Sequence, residues 1–148
     1  MKWGEDVIER LYFIGIGGIG MSGLARYARQ LGLDVAGYDK TQTALTAQLE
    51  EEGISIGFDS DTRHFNQWFD PEKNKATGVV RTPAVPGVHP VFERITTLQL
   101  TVLKRSEMLG LIAQNFETFA VAGTHGKTTT TAMLTHLLAD TPGGCNAF

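Results

Sequence analysis

The chain has 148 residues, of which 42% are apolar and 20% charged, and a formal net charge of −3. This is the composition of a soluble globular protein, long enough for one domain, or for one domain and a piece of another, and able to bury a core without staples. The charge excludes a nucleic-acid binder that works by massed cations, and the single cysteine, Cys145, excludes an internal disulfide and fits a reducing cytosol.

The opening segment to Arg10 carries Lys2, Glu5, Asp6 and Glu9 and lacks the apolar run of a secretion signal. The uncharged stretch Leu11 to Ala25 is interrupted by glycines and is too short to span a bilayer. A cytoplasmic protein with no membrane association is the expectation. Leu11-Tyr12-Phe13-Ile14 reads as a buried parallel strand. Met21, Leu24, Ala25, Ala28 and Leu31 then recur at helical spacing, with Ser22, Arg26, Arg29 and Gln30 on the other face and Gly32 as the stop. Asp34 to Tyr38 is the next strand, Thr43 to Glu52 a helix stopped by Gly53, and Ile54 to Ile56 a third strand. Glu50-Glu51-Glu52 reads as a solvated helix end.

Asp59 to Thr77 is polar with scattered aromatics and room for a short helix; Phe65, Trp68 and Phe69 suit packing better than base stacking. Gly78 to Arg81 is a strand that runs into Thr82-Pro83-Ala84-Val85-Pro86-Gly87, a loop stiffened by two prolines. Pro90 to Leu98 is a helix, Leu100 to Leu103 a strand, and Ser106 an N-cap for a helix through Asn115. Phe119 to Ala122 reads as a strand, Gly123 to Lys127 as a loop, and Thr128 to Ala139 as a helix closed by Pro142-Gly143-Gly144. Alternating strands and helices predict an α/β fold with a parallel sheet and right-handed crossovers. His64, His89, His125 and His136 are too dispersed for a zinc site.

Two loops carry chemistry. Gly15-Ile16-Gly17-Gly18-Ile19-Gly20 fits G-x-G-x-x-G, directly after a strand and before a helix, where backbone N–H groups and the helix N-terminus suit a pyrophosphate. Asp39 ends the following strand, 19 residues beyond Gly20, where a carboxylate accepts from ribose hydroxyls. An NAD-dependent oxidoreductase remains open on this loop alone. Gly123-Thr124-His125-Gly126-Lys127-Thr128-Thr129 ends as G-x-x-x-x-G-K-[ST] does, but Val121 stands where the first glycine of that pattern belongs. Its amides suit phosphate oxygens, Lys127 the β and γ phosphates, and Thr128 a Mg²⁺ ion. Two such loops argue for two phosphorylated ligands.

Gly15 to Gly23, Lys104-Arg105-Ser106-Glu107-Met108-Leu109 and Ala122 to Thr130 together resemble the Mur ligase family. The first loop is most similar to the branch that joins L-alanine to UDP-N-acetylmuramate; the alternative branch attaches a murein tripeptide to the same sugar. The resemblance implies a Rossmann-like N-terminal domain for the UDP-substrate over residues 1–115. Residues 116–148 would then be the first strand, phosphate loop and helix of a truncated central ATP-binding domain.

It also implies roles. Gly15, Gly17, Gly18 and Gly20 would contact the substrate's phosphates, with Asp39 and Thr82 on the same ligand. Gly123, Thr124, His125, Gly126, Lys127, Thr128 and Thr129 would take ATP. Lys127 and Thr128 would serve catalysis, the latter through Mg²⁺. ATP would phosphorylate the muramate carboxylate, and the L-alanine amine would displace phosphate from the acyl phosphate. The amino-acid pocket would lie outside this chain, so the 148 residues alone are expected not to catalyse ligation.

Overall fold

The structure, a computed structural model, describes all residues except 1, 4–5, 60–61 and 86–89. Pro86, Gly87 and His89 of the sequence reading therefore lie outside the described residues. In chain order the elements are β1 (Lys2–Trp3), β2 (Asp6–Val7), β3 (Arg10–Ile14), α1 (Ile19–Gln30), β4 (Asp34–Tyr38), α2 (Ala44–Glu51), β5 (Ser55–Gly57) and α3 (Arg63–Trp68). A 3-10 segment, Pro71–Ala76, leads to β6 (Thr77–Arg81), α4 (Pro90–Thr97), β7 (Thr101–Lys104), α5 (Arg105–Ala113) and α6 (Lys127–Ala139). Two compact units result, Met1–Ile112 and Ala113–Phe148.

The first unit is built on a five-stranded sheet of order β5-β4-β3-β6-β7, parallel throughout. Every residue of β3 is buried, which places this strand at the centre. Because side chains alternate along a strand, Leu11 and Phe13 face one layer and Tyr12 and Ile14 the other. The first layer joins them to Val35, Ile56 and Val80 and to Met21, Leu24, Ala25 and Ala28 of α1, Leu49 of α2, and Met108 and Ile112 of α5. The second joins Tyr12 and Ile14 to Ala36, Tyr38 and Val79 and to Phe65 of α3 and Val91 and Ile95 of α4. Helices on both faces explain why the strands read as continuous apolar runs rather than alternating ones.

Several expectations need adjusting. Leu31 is not part of the buried stripe of α1; it is the C-cap and is exposed, whereas Ser22 is buried with its hydroxyl donating to Ile19 O at 2.9 Å. Glu52 is not merely solvated: it takes three short hydrogen bonds from the Arg26 guanidinium, which ties the end of α2 to α1 and holds its carboxyl below the usual range. Ser106 is not an N-cap but the second residue of α5; Glu107 reaches back to accept from the Lys104 N–H at 2.7 Å, as the third helical residue does in a capping box. The polar stretch before β6 does hold a short helix, α3, and its aromatics are packing residues, with Phe65 fully buried edge-on against Tyr12 at 4.9 Å.

In the second unit Gly126 (φ +77°) precedes α6, none of whose residues is buried. Phe119 to Ala122 do not form the expected strand. A strand is defined by ladder hydrogen bonds to a neighbour, and no described segment pairs with these residues.

Candidate functional site

From β3 the chain winds through β4 to β5 on one side of the sheet, then returns to place β6 and β7 on the other. The crevice where the winding direction reverses, beyond the carboxyl ends of β3 and β6, is where open α/β sheets bind ligands. Gly15 follows β3 and Thr82 follows β6, so two residues chosen from sequence frame that crevice. They also touch. Thr82 donates its N–H to Ile14 O at 3.2 Å, and its methyl lies 2.4 Å from where a Cβ on Gly15 would stand. At Gly15 φ is +83°, so a side chain there would be strained as well as blocked.

The glycine loop is tied to its neighbours more closely than its pattern suggests. The N–H groups of Gly15 and Ile16 both donate to Tyr38 O, at 2.7 and 3.0 Å, and that of Gly17 donates to the Asp39 carboxylate at 2.7 Å. Asp39 also accepts from the Thr41 N–H at 3.1 Å. Gly18 makes a long bond, 3.4 Å, to Gly15 O. The open amides are those of Ile19 and Gly20, the first two residues of α1, because the first N–H groups of a helix have no intrahelical acceptor. Gly15 and Gly17 thus shape the turn with their own amides engaged, while Gly18 and Gly20 edge its mouth. Asp39 faces the loop rather than standing clear of it. Sequence reading missed Arg105: its Nη1 lies 2.7 Å from the Cβ position of Gly20. Nothing in the local pattern marks this approach, since the two residues meet only in three dimensions.

The second loop presents Lys127 as the first residue of α6. Its Nζ donates to Gly123 O at 2.7 Å and Thr124 O at 3.3 Å, so the ammonium caps the loop's own carbonyls. The first helical N–H to find a carbonyl is that of Thr130, on Gly126 O at 2.9 Å. The amides of Lys127, Thr128 and Thr129 stand at the open helix start. Thr124, His125 and Thr128 are exposed on the same loop and first turn. A helix start with free amides, a lysine at its mouth and a hydroxyl beside it is a fitting environment for phosphate oxygens and a hard cation. Among the described residues no group of three His, Cys, Asp or Glu side chains is placed to hold a metal.

The profile of the Mur ligase family, catalytic domain, matches residues 10–117. The chain belongs to the Mur ligase family. It is 47% identical over 141 residues to the UDP-N-acetylmuramate–L-alanine ligase of Christiangramia forsetii, covering 95% of this chain and 31% of that protein. The corresponding ligase of Phocaeicola vulgatus is 44% identical over 97% of the chain and 31% of its own length. Among solved structures, the UDP-N-acetylmuramate-alanine ligase MurC of Thermotoga maritima superposes with a TM-score of 0.74 at 37% identity, over 87% of this chain and 29% of that one. The UDP-N-acetylmuramate:L-alanyl-gamma-D-glutamyl-meso-diaminopimelate ligase of Neisseria meningitides gives 0.76 at 32% identity, over 89% and 40%. The chain therefore spans about 31% of the length of the first relatives it matches. Its parallel sheet flanked by helices is the α/β fold of the matching part, the N-terminal domain, of these Mur ligases. No helix among the described residues is long and apolar enough to cross a membrane.

One polar cluster of this Mur ligase chain lies off the two loops. His64 of α3 meets the Tyr12 hydroxyl through Nδ1 at 3.0 Å and the Ser55 hydroxyl through Nε2 at 2.9 Å, so the ring pins α3 to β3 and β5. Neutral imidazole offers one donor and one acceptor, which the two hydroxyls complement. Burial pushes the His64 pKa below its ordinary value. The sign follows: the unfolded chain, titrating near about 6.5, binds a proton before the folded protein does. The contribution is whole above that pH and drains away on acidification toward the folded pKa. Urea denaturation of the chain and of His64→Gln between pH 8 and pH 5 is expected to show stability falling more steeply for the native sequence. Parallel curves would remove His64 as the titrating group.

Proposed function

We propose that this chain supplies the UDP-substrate domain and the opening of the ATP-binding domain of a ligase that joins L-alanine to UDP-N-acetylmuramate in peptidoglycan synthesis. The observation that carries this reading is the identity of 44–47% across nearly the whole chain with ligases of that name. The glycine loop then takes the UDP moiety. Gly15 and Gly17 fix the turn, Gly18 and Gly20 admit the diphosphate, Asp39 and Thr82 flank it, and the Ile19 and Gly20 amides with the α1 dipole face its oxygens.

The second loop takes ATP. Gly123, Thr124, His125, Gly126 and Thr129 contribute its frame and amides. Lys127 leaves its two carbonyls to neutralise phosphate charge, and the Thr128 hydroxyl is the ligand this chain offers to Mg²⁺. A bound Mg²⁺ would withdraw charge from the transferring phosphoryl oxygens, a reaction that asks mainly for positioning and electrostatics. Lys127 and Thr128 are in this sense the residues that serve catalysis. The two units correspond in this proposal to residues 1–115 and 116–148 of the sequence reading, acting in the cytoplasm. Ligation itself belongs to the full-length ligase, with the L-alanine pocket elsewhere, and is not expected of these 148 residues alone.

The test is a titration of the chain with UDP-N-acetylmuramate in the presence and absence of NAD. Saturable binding of the UDP-sugar, undisturbed by excess NAD, is the expected result. Displacement by NAD would return the glycine loop to the oxidoreductase reading.

A further inference from the structure

The geometry points to Arg105 as the side chain that grips the diphosphate at the glycine loop; this rests on the reading of that loop as a UDP-sugar site. The loop's own hydrogen bonds create the need for it. With the Gly15, Ile16 and Gly17 amides already donated to Tyr38 and Asp39, the donors left for the anion are few: Ile19, Gly20 and the weakly engaged Gly18. A helix start carries only about half a positive charge, against two negative charges on an esterified diphosphate. The Asp39 carboxylate beside Gly17 adds a further negative charge on one flank.

Arg105 supplies what is missing from the opposite flank. Its Nη1 and Cζ stand 2.7 and 3.3 Å from the Cβ position of Gly20, so the absence of a side chain at residue 20 is what admits the guanidinium to the start of α1. Among the described residues it has no hydrogen-bond or ion-pair partner, and the nearby Glu107 is already engaged with Lys104, through the backbone N–H at 2.7 Å and Nζ at 4.0 Å. Arg105 is half-buried. α5, which begins with Arg105, packs Met108 and Ile112 into the same core layer as Met21 and Leu24 of α1, so the cation and the loop are held in one frame. A planar guanidinium donates to two phosphate oxygens at once, which suits a diphosphate. With Asp39 on one flank and Arg105 on the other, the ligand is also given a direction: hydroxyl-bearing nucleoside toward Asp39, anion toward Arg105.

The test compares the 148-residue chain with Arg105→Ala, Arg105→Gln and Arg105→Lys, titrating UDP and uridine at low and high salt and recording unliganded melting temperatures. Arg105→Ala and Arg105→Gln are expected to weaken UDP binding roughly 10–100-fold, to flatten its salt dependence, and to leave uridine affinity and the melting temperature in place. Arg105→Lys should recover part of the loss. Wild-type affinity for UDP in Arg105→Gln overturns the assignment while leaving the loop's function intact. Failure of the unmodified chain to bind UDP at any concentration overturns the loop reading and Arg105 with it.

Discussion

Phe65→Ala is expected to lower the unfolding free energy by about 3–5 kcal/mol, the range for removing a buried phenyl ring. Phe65 has no solvent exposure and sits edge-on to Tyr12 at 4.9 Å and stacked on Phe69 at 5.5 Å. Those contacts bind a helix of only six residues to the sheet, and so short a helix has little stability of its own. Truncation leaves a cavity that α3 is poorly placed to fill, because His64 is fastened on both ring nitrogens to β3 and β5. The measurement is the urea midpoint at neutral pH. A loss smaller than about 1 kcal/mol would mean that α3 collapses onto the sheet and that this layer is not close-packed.

Lys127→Ala is expected to reduce ATP affinity roughly 10–100-fold, the loss of one or two charge-assisted hydrogen bonds to phosphate. The side chain is exposed, and its bonds to Gly123 O and Thr124 O join it only to its own loop. Folding should therefore be nearly unaffected, and far-ultraviolet circular dichroism should match that of the unmodified chain. Calorimetric titration with Mg·ATP reads the effect. Equal affinity in the variant would show that the helix amides alone carry the interaction and that the lysine serves only to brace the loop through Gly123 O and Thr124 O.

What was legible in the sequence was the alternation of apolar runs with helical stripes, because both periods report burial. Leu11 to Ile14 as a buried strand, Asp34 to Tyr38 as the next one, and Met21, Leu24, Ala25 and Ala28 on one helix face were read from the pattern; that the first strand is central and the second lies beside it is set by the sheet order. The glycine loop was legible because strand, turn and helix succeed one another in order, whereas before the lysine loop only the turn and the helix do. Other features depend on partners remote in the chain. The two-residue strands β1 and β2 are too short to carry a period. The start of α5 was misplaced because the helix opens one residue earlier, at Arg105, where Glu107 reaches back to accept from the Lys104 N–H. Phe119 to Ala122 have the composition of a strand, but composition provides no neighbouring ladder. Arg10 was placed at the end of the charged opening segment, yet it begins β3 and is buried, paired with Asp34 at 2.9 Å and stacked on the Trp68 ring at 4.1 Å. Arg105 was quoted only as part of a family resemblance; its place at Gly20 depends on α5 returning across the sheet to lie in the same layer as α1.

The bonds from Gly15 and Ile16 to Tyr38, and from Gly17 to Asp39, have a kinetic corollary. A turn already braced by the adjoining strand surrenders little backbone entropy when a ligand arrives. Capture should accordingly proceed in a single bimolecular phase, with observed rates rising linearly in ligand concentration and no slower ordering step behind them.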